Sequence, residues 1–342
     1  MSFFGSNDIT GIDIGAGSIK VVRIARDGRH PKLLSAALVE ISLDPAQATG
    51  ISTELRYLQS VKKLGRGAVV TLMPGKDLTI RSFTMPKMPL TELGEAVRWE
   101  AKRHVSYPLE AAQIEYLIVG EKLEGKVSKY DIVMIAAERG KVLEHLLPLD
   151  EAGIKVSAVD ANALALRNVL RLGEKSSDAN TLLVDIGAGK TEINIFKSGI
   201  LRFSRCLETG GLDMTRTVAE VLGLGLPEAE ELKRSLNLLT PDVNDQVVMA
   251  VRSRIDALLM EIRRSADYYK TTFREKNVES MILTGGVSLL QGLREYCAQS
   301  LEHAVEICQP FDGLTGKQDL LEEFGPVAPR FSAAIGLALR KV

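Results

Sequence analysis

Cysteine and histidine, the residues that most often build disulfide frameworks and zinc sites, are scarce in this sequence. Its 342 residues include three cysteines and four histidines. Cys206, Cys297 and Cys308 show neither Cys-x-x-Cys spacing nor a histidine at ligand spacing. The sequence therefore predicts neither a disulfide framework nor a zinc site, and we expect three free, buried thiols.

Net charge and long apolar runs are also lacking. Lysine and arginine number 43 against 44 aspartates and glutamates, so no overall attraction to nucleic acid or anionic lipid is expected. No apolar run reaches the roughly 18 residues of a membrane span, and residues 1–8 lack the features of a secretory signal. The sequence predicts a cytoplasmic protein that does not bind nucleic acid.

The rest of the composition is that of a folded globular protein. Hydrophobic residues make up 45% of the chain and charged residues 25%. Since a domain holds roughly 100–200 residues, a chain of this length is expected to form two or more. We therefore expect a cleft between domains.

A small-residue loop near the N-terminus has the composition of a phosphate-binding loop. In "TGIDIGAGSIKVVRI", residues 10–24, the segment Gly15–Ser18 separates two apolar runs. The fingerprint G-x-G-x-x-G fails at Lys20, and a P-loop ending at Gly189–Thr191 fails because Val184 replaces its first glycine. β-branched residues follow the loop, and its glycines let backbone N–H groups approach an anion. The loop is predicted to be a β-hairpin that can hold phosphate.

An internal repeat argues against a purely structural hairpin. The sequence Asp-Ile-Gly-Ala-Gly at Asp13–Gly17 recurs identically at Asp185–Gly189, 172 residues later. Each copy reads as strand, hairpin, strand, turn, strand, which indicates a duplicated domain with two hairpins facing one cleft. Two opposed carboxylates, Asp13 and Asp185, beside a polyphosphate would suit a hydrated Mg²⁺.

A third glycine element follows the apolar strand Met281–Thr284. Gly285-Gly286 precedes a helix predicted to start near Ser288, and such a turn can admit an adenosine or an α-phosphate, although alone it is more often a packing feature. With the two Asp-x-Gly hairpins upstream, the chain resembles the actin-like ATPase superfamily over nearly its whole length. The resemblance implies an α/β fold of two duplicated, ribonuclease H-like domains around a cleft that binds ATP or ADP with Mg²⁺.

The same resemblance implies which residues bind the nucleotide. They are Asp13, Gly15, Ala16, Gly17, Ser18, Lys20, Gly187, Ala188, Gly189, Lys190, Thr191, Gly210, Gly211, Glu230, Lys233, Gly285, Gly286 and Val287. Asp13 and Asp185 would hold the metal through water, and Asp160 and Asp185 would be the catalytic candidates. Two alternatives stay open: Glu230 and Lys233 also suit a solvated charged face, and Asp160 also suits a helix N-cap.

An insert interrupts the first domain. Apolar residues recur at helical spacing between Pro89 and Pro108, and two strands and a second helix follow, which predicts a small α+β subdomain. The predicted organisation is a first domain beginning at 8–83, the insert at 84–156, a return helix at 157–180, a second domain at 181–325 with a helical subdomain at about 213–275, and a C-terminal helix at 326–342 packing on the first domain.

The insert narrows the resemblance to one family. The order of a helix ending in "SYPLE", a charged hairpin at 122–129, "DIVMIAAERGKV" and "EAGIKVSAVD" resembles the PilM family of type IV pilus assembly proteins. The segment "FSAAIGLALRKV" resembles the last helix of that family, whereas the related FtsA proteins end in a linker and a membrane-binding amphipathic helix. An FtsA-like division protein and a small-molecule, sugar-type kinase stay open as alternatives.

Membership of the PilM family would imply a cytoplasmic adaptor that reaches the inner membrane only through a partner. The partner would be a PilN-like membrane protein, bound through its cytoplasmic N-terminal segment, and the adaptor would join other pilus platform and motor components. Self-association is left open. Trp99 and Tyr107 are weak candidates for the peptide groove, because aromatic residues at these positions also suit a core.

Ala16 and Ala188 bear on whether ATP is hydrolysed. Many hydrolysing relatives carry a hydroxyl or an acid at these hairpin tips, and losing one preorganised group commonly costs about 10²–10³ in rate. Binding can survive on backbone N–H groups and Lys20. We therefore expect a nucleotide binder with slow or no hydrolysis, the rival expectation being an active enzyme.

Overall fold

The computed structural model describes residues 8–26, 30–44, 46–61, 64, 67–172, 180–239, 246–275, 277–316 and 318–340. The strands are β1 (Asp8–Ile14), β2 (Ser18–Ala25), β3 (Lys32–Glu40), β4 (Ala68–Met73), β5 (Leu78–Pro86), β6 (Ala112–Glu124), β7 (Val127–Glu138), β8 (Ala158–Ala161), β9 (Asn180–Ile186), β10 (Thr191–Lys197), β11 (Ile200–Leu207), β12 (Ser280–Thr284), β13 (Val305–Ile307) and β14 (Thr315–Gly316).

The helices are α1 (Ile51–Ser60), α2 (Leu90–Ala101), α3 (Arg139–Glu151), α4 (Asn162–Leu172), α5 (Gly211–Leu222), α6 (Leu226–Ser235), α7 (Gln246–Phe273), α8 (Leu293–Leu301), α9 (Gln318–Phe324) and α10 (Ser332–Ala338). Within the described residues, no helix combines the length and the apolar character needed to cross a membrane.

Two of the three sheets share one topology, as the sequence repeat predicts. The first runs β14-β3-β2-β1-β4-β8 and the second β11-β10-β9-β12-β13. In each, three antiparallel strands joined by hairpins are followed by two parallel strands reached through crossovers. Strands β4 and β12, which pair in parallel with β1 and β9, are buried along most of their length, which is why their sequences are nearly continuous apolar runs. The predicted duplication is confirmed.

A shared apolar core joins the two sheets. Residues of the first sheet, of the second sheet, of α4 and of the C-terminal segment lie in one cluster, for example Val22, Leu183, Leu166 and Phe331. A side chain added to Gly336 would overlap the carbonyl oxygen of Ala165, so α10 lies in backbone contact with α4. The C-terminal helix therefore packs against α4 and the strands of the first sheet, and α4 in turn contacts β10 and β11 of the second sheet.

The third sheet forms the insert. Its order is β5-β7-β6, and α2 packs on one face through Leu93 and Val97 against Ile132 and Met134. The sheet already includes β5 from Leu78, before the expected boundary at 84.

The C-terminal boundary of the insert also lies elsewhere than at the expected residue 156. Helix α3 packs through Leu149 beside Ile12 and Leu55, in the core that covers the first sheet. An insert ending at 156 would therefore take in a helix that belongs to the first domain. We propose 78–138 as its limits.

The other expected segments fall on regular elements. The region at about 213–275 holds α5, α6 and α7, and 157–180 holds β8 and α4, with 173–179 outside the described residues. The segment 326–342 contains α10, and its last two residues also lie outside. Of the three cysteines, Cys297 and Cys308 are buried, whereas Cys206 is half-buried.

The close contact between α10 and α4 can be tested through stability. Replacing Gly336 with alanine should lower the free energy of unfolding by about 1–3 kcal/mol, because the new methyl group collides with backbone that must move. Gly140, a helix glycine with no neighbour within 4 Å, is the matched control, and its alanine variant should change stability by at most about 1 kcal/mol. Urea unfolding measures both; equal effects would contradict the close packing of α10.

Candidate nucleotide site

The two Asp-Ile-Gly-Ala-Gly hairpins meet tip to tip. A side chain added to Gly17 would lie 2.9 Å from Cβ of Ala188, and one added to Gly189 would lie 2.9 Å from Cβ of Ala16. Each alanine methyl group therefore faces the glycine of the opposite hairpin. The structure brings together the two loops that the sequence predicts, and small residues at the tips make this approach sterically allowed.

The first hairpin holds a buried ion pair. Asp13 and Lys20 lie opposite each other in the β1–β2 register, and Lys20 Nζ is 2.7 Å from Asp13 Oδ2. Lys20 also donates to the carbonyl oxygen of Ser18 at 3.3 Å, and the N–H of Gly15 donates to the same oxygen at 3.0 Å. The ammonium group thus lies inside the turn, where an incoming phosphate would compete with Asp13 for it.

The carboxylate of the second hairpin, Asp185, is bonded to an amide rather than to a lysine. Asp185 accepts a hydrogen bond from Asn162 Nδ2 at 2.7 Å, and no basic side chain within the described residues lies at ion-pairing distance. Burial raises the pKa of Asp185 to about 6, although the bond from Asn162 opposes the shift. A half-buried carboxylate with no counter-ion among the described residues favours the binding of a cation.

Glu192 lies opposite Asp185 in the β9–β10 register, where the first repeat has Lys20 opposite Asp13. The Glu192 side chain is buried and pairs with Lys190, whose Nζ lies 2.6 Å from Oε1. Burial lowers the pKa of Lys190, but Glu192 more than offsets this, so the pKa lies above its ordinary value. The lysine of the second hairpin is therefore committed to a carboxylate of its own repeat.

The start of α5 supports the second hairpin. The N–H groups of Gly211 and Leu212 donate to the carbonyl oxygens of Gly187 at 2.9 Å and Ala188 at 2.7 Å. A side chain on Gly210 would lie 2.6 Å from the carbonyl oxygen of Ala188, so this position requires glycine for packing alone. At the base of the hairpin, the Thr191 hydroxyl donates to the Thr209 carbonyl at 2.8 Å.

Glu230 and Lys233 lie on α6, and the pair is not a solvated charged face. Lys233 is 5% exposed, and its ammonium group donates to Gly211 O at 3.2 Å, Thr215 Oγ1 at 2.9 Å and Glu230 Oε2 at 2.6 Å. Burial lowers its pKa, and Glu230 opposes the shift. All three ammonium protons have acceptors within the protein, so Lys233 positions the α5 N-terminus behind the hairpin; a direct nucleotide contact stays a prediction.

The Gly285-Gly286-Val287 element combines packing with an open position. Gly285 has φ +83°, and a side chain there would lie 2.5 Å from Asp185 Oδ1. Val287 is buried against Gly211, whereas a side chain on Gly286 would meet nothing nearer than Arg330 Cγ at 4.0 Å. Gly286 is the position here that leaves room for a ligand.

The prediction that a helix starts near Ser288 is wrong. Residues 286–289 form a 3-10 turn, and α8 begins at Leu293 after Gly292, which has φ +81°. The left-handed conformation of Gly292 separates the turn from the helix.

Asp160 lies apart from the other candidates. Its carboxylate pairs with Arg340 at 3.2 Å and accepts from the Ala161 N–H at 2.8 Å, with no bond to a candidate site residue among the described contacts. Burial raises its pKa, and Arg340 opposes the shift. Asn162, two residues later, supplies the side chain that reaches Asp185, so the assignment of Asp160 as a catalytic residue has no geometric support.

Two further residues at this site, His145 and Arg330, belong to no recognisable sequence motif. His145 on α3 lies 3.4 Å from Thr71 Oγ1, and burial followed by the charge of Lys190 lowers its pKa. Arg330, before α10, donates to Ser18 Oγ at 3.1 Å. Both are isolated residues delivered by the fold from distant segments, which is why sequence patterns did not indicate them.

The residues present fit a hydrated Mg²⁺ better than a directly bound one. Among the described residues, no group of three or more His, Cys, Asp or Glu side chains could hold a metal. Asp13 already pairs with Lys20, whereas Asp185 lacks a cation. Asp185 would thus hold Mg²⁺ through water, with phosphate oxygens as the other ligands, and the ion would neutralise phosphate charge.

The burial of Asp185 makes stability depend on pH. Because its folded pKa is raised from 3.8 to about 6, stability falls as pH rises through this range. Replacing Asp185 with Asn should leave stability nearly unchanged near pH 4 and raise it by about 3 kcal/mol at pH 7.5, since a mostly buried charge is removed.

Urea unfolding without nucleotide at pH 4, 5, 6 and 7.5 measures the effect. Replacing Asp267, an exposed aspartate on α7, with Asn is the control, and as a surface substitution it should change stability by no more than about 0.5 kcal/mol. A constant destabilisation by the Asp185 replacement at every pH would contradict the argument.

Solved structures support the fold. The chain aligns with the "PilM-PilN type IV pilus biogenesis complex" at TM-score 0.82 and 27% identity, covering 97% of this chain and 98% of that one. It aligns with ethanolamine utilization protein EutJ from Carboxydothermus hydrogenoformans at TM-score 0.57 and 16% identity, covering 97% and 89%. The actin-like ATPase fold expected from the sequence is confirmed.

Curated relatives include cell division proteins. FtsA of Neisseria meningitidis is 25% identical over 209 residues, which are 55% of this chain and 49% of that protein. FtsA of Rhizobium meliloti is 27% identical over 239 residues, covering 63% and 52%. The chain spans about half the length of the curated relatives it matches.

The family comparison covers more of the chain. Residues 11–342 match the family described as "Type IV pilus assembly protein PilM". This match includes both hairpins, the insert and α10, so the resemblance inferred from the motifs holds for the whole fold. The chain belongs to the PilM family of type IV pilus assembly proteins.

Proposed function

We propose that this protein is an ATP-binding adaptor of the type IV pilus assembly platform that holds ATP with slow or no hydrolysis. It binds the cytoplasmic N-terminal segment of a PilN-like inner-membrane protein and is cytoplasmic, reaching the membrane through that partner. The observation that carries the proposal is the tip-to-tip contact of the two repeated hairpins, with Lys20 at one and the unpaired Asp185 at the other.

The proposed nucleotide site draws on both hairpins. Backbone N–H groups and Lys20 would bind the β- and γ-phosphates, while Asp185 would hold Mg²⁺ through water. Gly286 offers an open backbone position next to Arg330 for the adenosine side. In this arrangement, one ligand would contact both halves of the molecule and fix their relative positions.

Slow hydrolysis follows from the groups at the hairpin tips. Ala16 and Ala188 present methyl groups, which cannot orient an attacking water. Glu192, a nearby carboxylate, is buried and already bound to Lys190 at 2.6 Å, and Asp160 is paired with Arg340. Of the carboxylates near the hairpin tips, this leaves Asp185, whose charge the metal would require.

A direct structural connection supports coupling between the nucleotide and the insert. Gly75 lies in the turn between β4 and β5, the strand that opens the insert, and a side chain there would overlap Glu192 Oε1. Farther along, Arg202 of β11 donates to Asp131 of β7 at 3.2 Å. Movement of the second hairpin would therefore be transmitted to the insert sheet through these contacts.

The insert also carries an unpartnered aromatic anchor. Trp99 on α2 is 63% exposed, so it is not a core residue. Among the described residues, the buried Tyr107 hydroxyl has no hydrogen-bond partner, and burial raises its pKa. Exposed tryptophans often anchor interfaces. The solved complex named above pairs PilM with PilN, and we propose that Trp99 contributes to the corresponding contact here.

Trp99 is the sole tryptophan and reports on its own surroundings. Titration with the N-terminal peptide of the PilN-like partner should change its fluorescence, and Mg-ATP should tighten peptide binding at least about fivefold, a typical coupling between sites. Replacing Trp99 with Ala should weaken binding about tenfold or more by calorimetry.

Tyr268 on α7 is 56% exposed and outside the insert, so its alanine variant is the matched control and should bind the peptide normally. Peptide affinity that does not respond to Mg-ATP would contradict the adaptor mechanism. Peptide affinity that is unaffected by loss of Trp99 would contradict only the proposed anchor.

A further inference from the structure

Arg330 occupies a position that no glycine motif marks. Its guanidinium group binds Glu40 through both ends, Nη1 to Oε1 at 2.7 Å and Nη2 to Oε2 at 2.8 Å, and Nη2 also donates to Ser18 Oγ at 3.1 Å. The Arg330 side chain is 15% exposed, whereas that of Glu40 is 43% exposed. A mostly buried guanidinium is therefore neutralised by a carboxylate at the surface.

This arginine lies where three nucleotide-binding elements converge. Ser18 belongs to the first hairpin, and Arg330 Cγ is the atom nearest to the open side of Gly286 in the third glycine element. From α6, Arg234 approaches Glu40 at 3.7 Å and binds Glu230 at 2.9 Å. Glu40, at the end of β3, thus receives arginines from the C-terminal segment and from the second domain.

Carboxylate and phosphate are interchangeable partners for this geometry. A guanidinium group offers two parallel N–H donors that match either anion, and the bidentate form gives the strongest of these contacts. The backbone holds Arg330 in place without Glu40, because Gly285 N–H and Thr284 Oγ1 both donate to the carbonyl oxygen of Pro329, at 3.2 and 3.0 Å.

We propose that Arg330 is a phosphate-binding residue of the nucleotide site and that Glu40 is its intramolecular competitor. The proposal rests on the nucleotide-binding function proposed above. A nucleoside di- or triphosphate reaches Arg330 by displacing the Glu40 carboxylate, which then also loses its attraction for Arg234. Nucleotide binding therefore replaces a contact between β3 and α6 with contacts through the phosphate groups.

The competition sets the direction of the mutational effects. Replacing Glu40 with Gln removes the competing charge, so the Kd for Mg-ATP should fall about 3- to 10-fold, as expected when a larger fraction of molecules is competent to bind. Replacing Arg330 with Ala should raise the Kd about tenfold or more, as for loss of a charge-assisted bond. Replacing Arg330 with Lys keeps the charge and should give an intermediate Kd.

Glu121 provides a matched control. It is 46% exposed and pairs with Lys87 at 2.7 Å on the insert, so its glutamine variant should bind Mg-ATP like the unmodified protein. Calorimetry on the full chain measures each Kd, and thermal unfolding without nucleotide verifies that each variant is folded.

The outcomes separate this inference from the proposed function. If the unmodified protein does not bind Mg-ATP, the nucleotide-binding function fails. If it binds, but E40Q binds equally or more weakly, Glu40 is a structural clamp and the competition is wrong. A folded R330K with unchanged Kd would likewise overturn the role of Arg330.

Discussion

The contact between two identical hairpin tips is the constraint on which the rest of this structure depends. Ala16 and Ala188 are small enough for the hairpins to approach, and Gly17 and Gly189 leave the space that each methyl group faces. The two sheets share one apolar core in which α4 contacts both of them, and α10 packs on α4 through Gly336.

Charge breaks the symmetry that the duplication creates. Asp13 faces Lys20, but in the second repeat the equivalent position is Glu192, and its lysine neighbour is used to neutralise it. Asp185 is therefore left as a half-buried carboxylate without a basic partner among the described residues, and burial raises its pKa. Under the proposed function, one repeat would bind phosphate and the other would hold a hydrated metal ion.

The repeat was sufficient to predict the duplicated fold and the two hairpins, because glycine spacing and apolar runs are local properties. The limits of the insert were harder to predict from the sequence. Strand β5 pairs with β7, which lies more than forty residues later. Helix α3 has the sequence pattern of an insert helix, although it packs on the first sheet. Nothing in the local sequence distinguishes these pairings.

Predicting the individual site residues requires side-chain directions and long-range packing, which the sequence alone does not give. Asp160 and Asn162 are both polar residues at the junction of β8 and α4, and only the fold shows that Asn162 reaches Asp185 while Asp160 turns to Arg340. His145 and Arg330 arrive from segments without a recognisable motif. The sequence thus predicted the loops of the site more completely than the residues that surround them.

The central claim is that the two hairpins hold ATP without consuming it. The most direct measurement incubates the protein with equimolar radiolabelled Mg-ATP for an hour, removes free nucleotide by rapid gel filtration, and identifies the nucleotide that remains bound. The account predicts retained, mostly intact ATP in the presence of Mg²⁺ and much less retention with EDTA. Complete conversion to ADP, or no retained nucleotide, would contradict it.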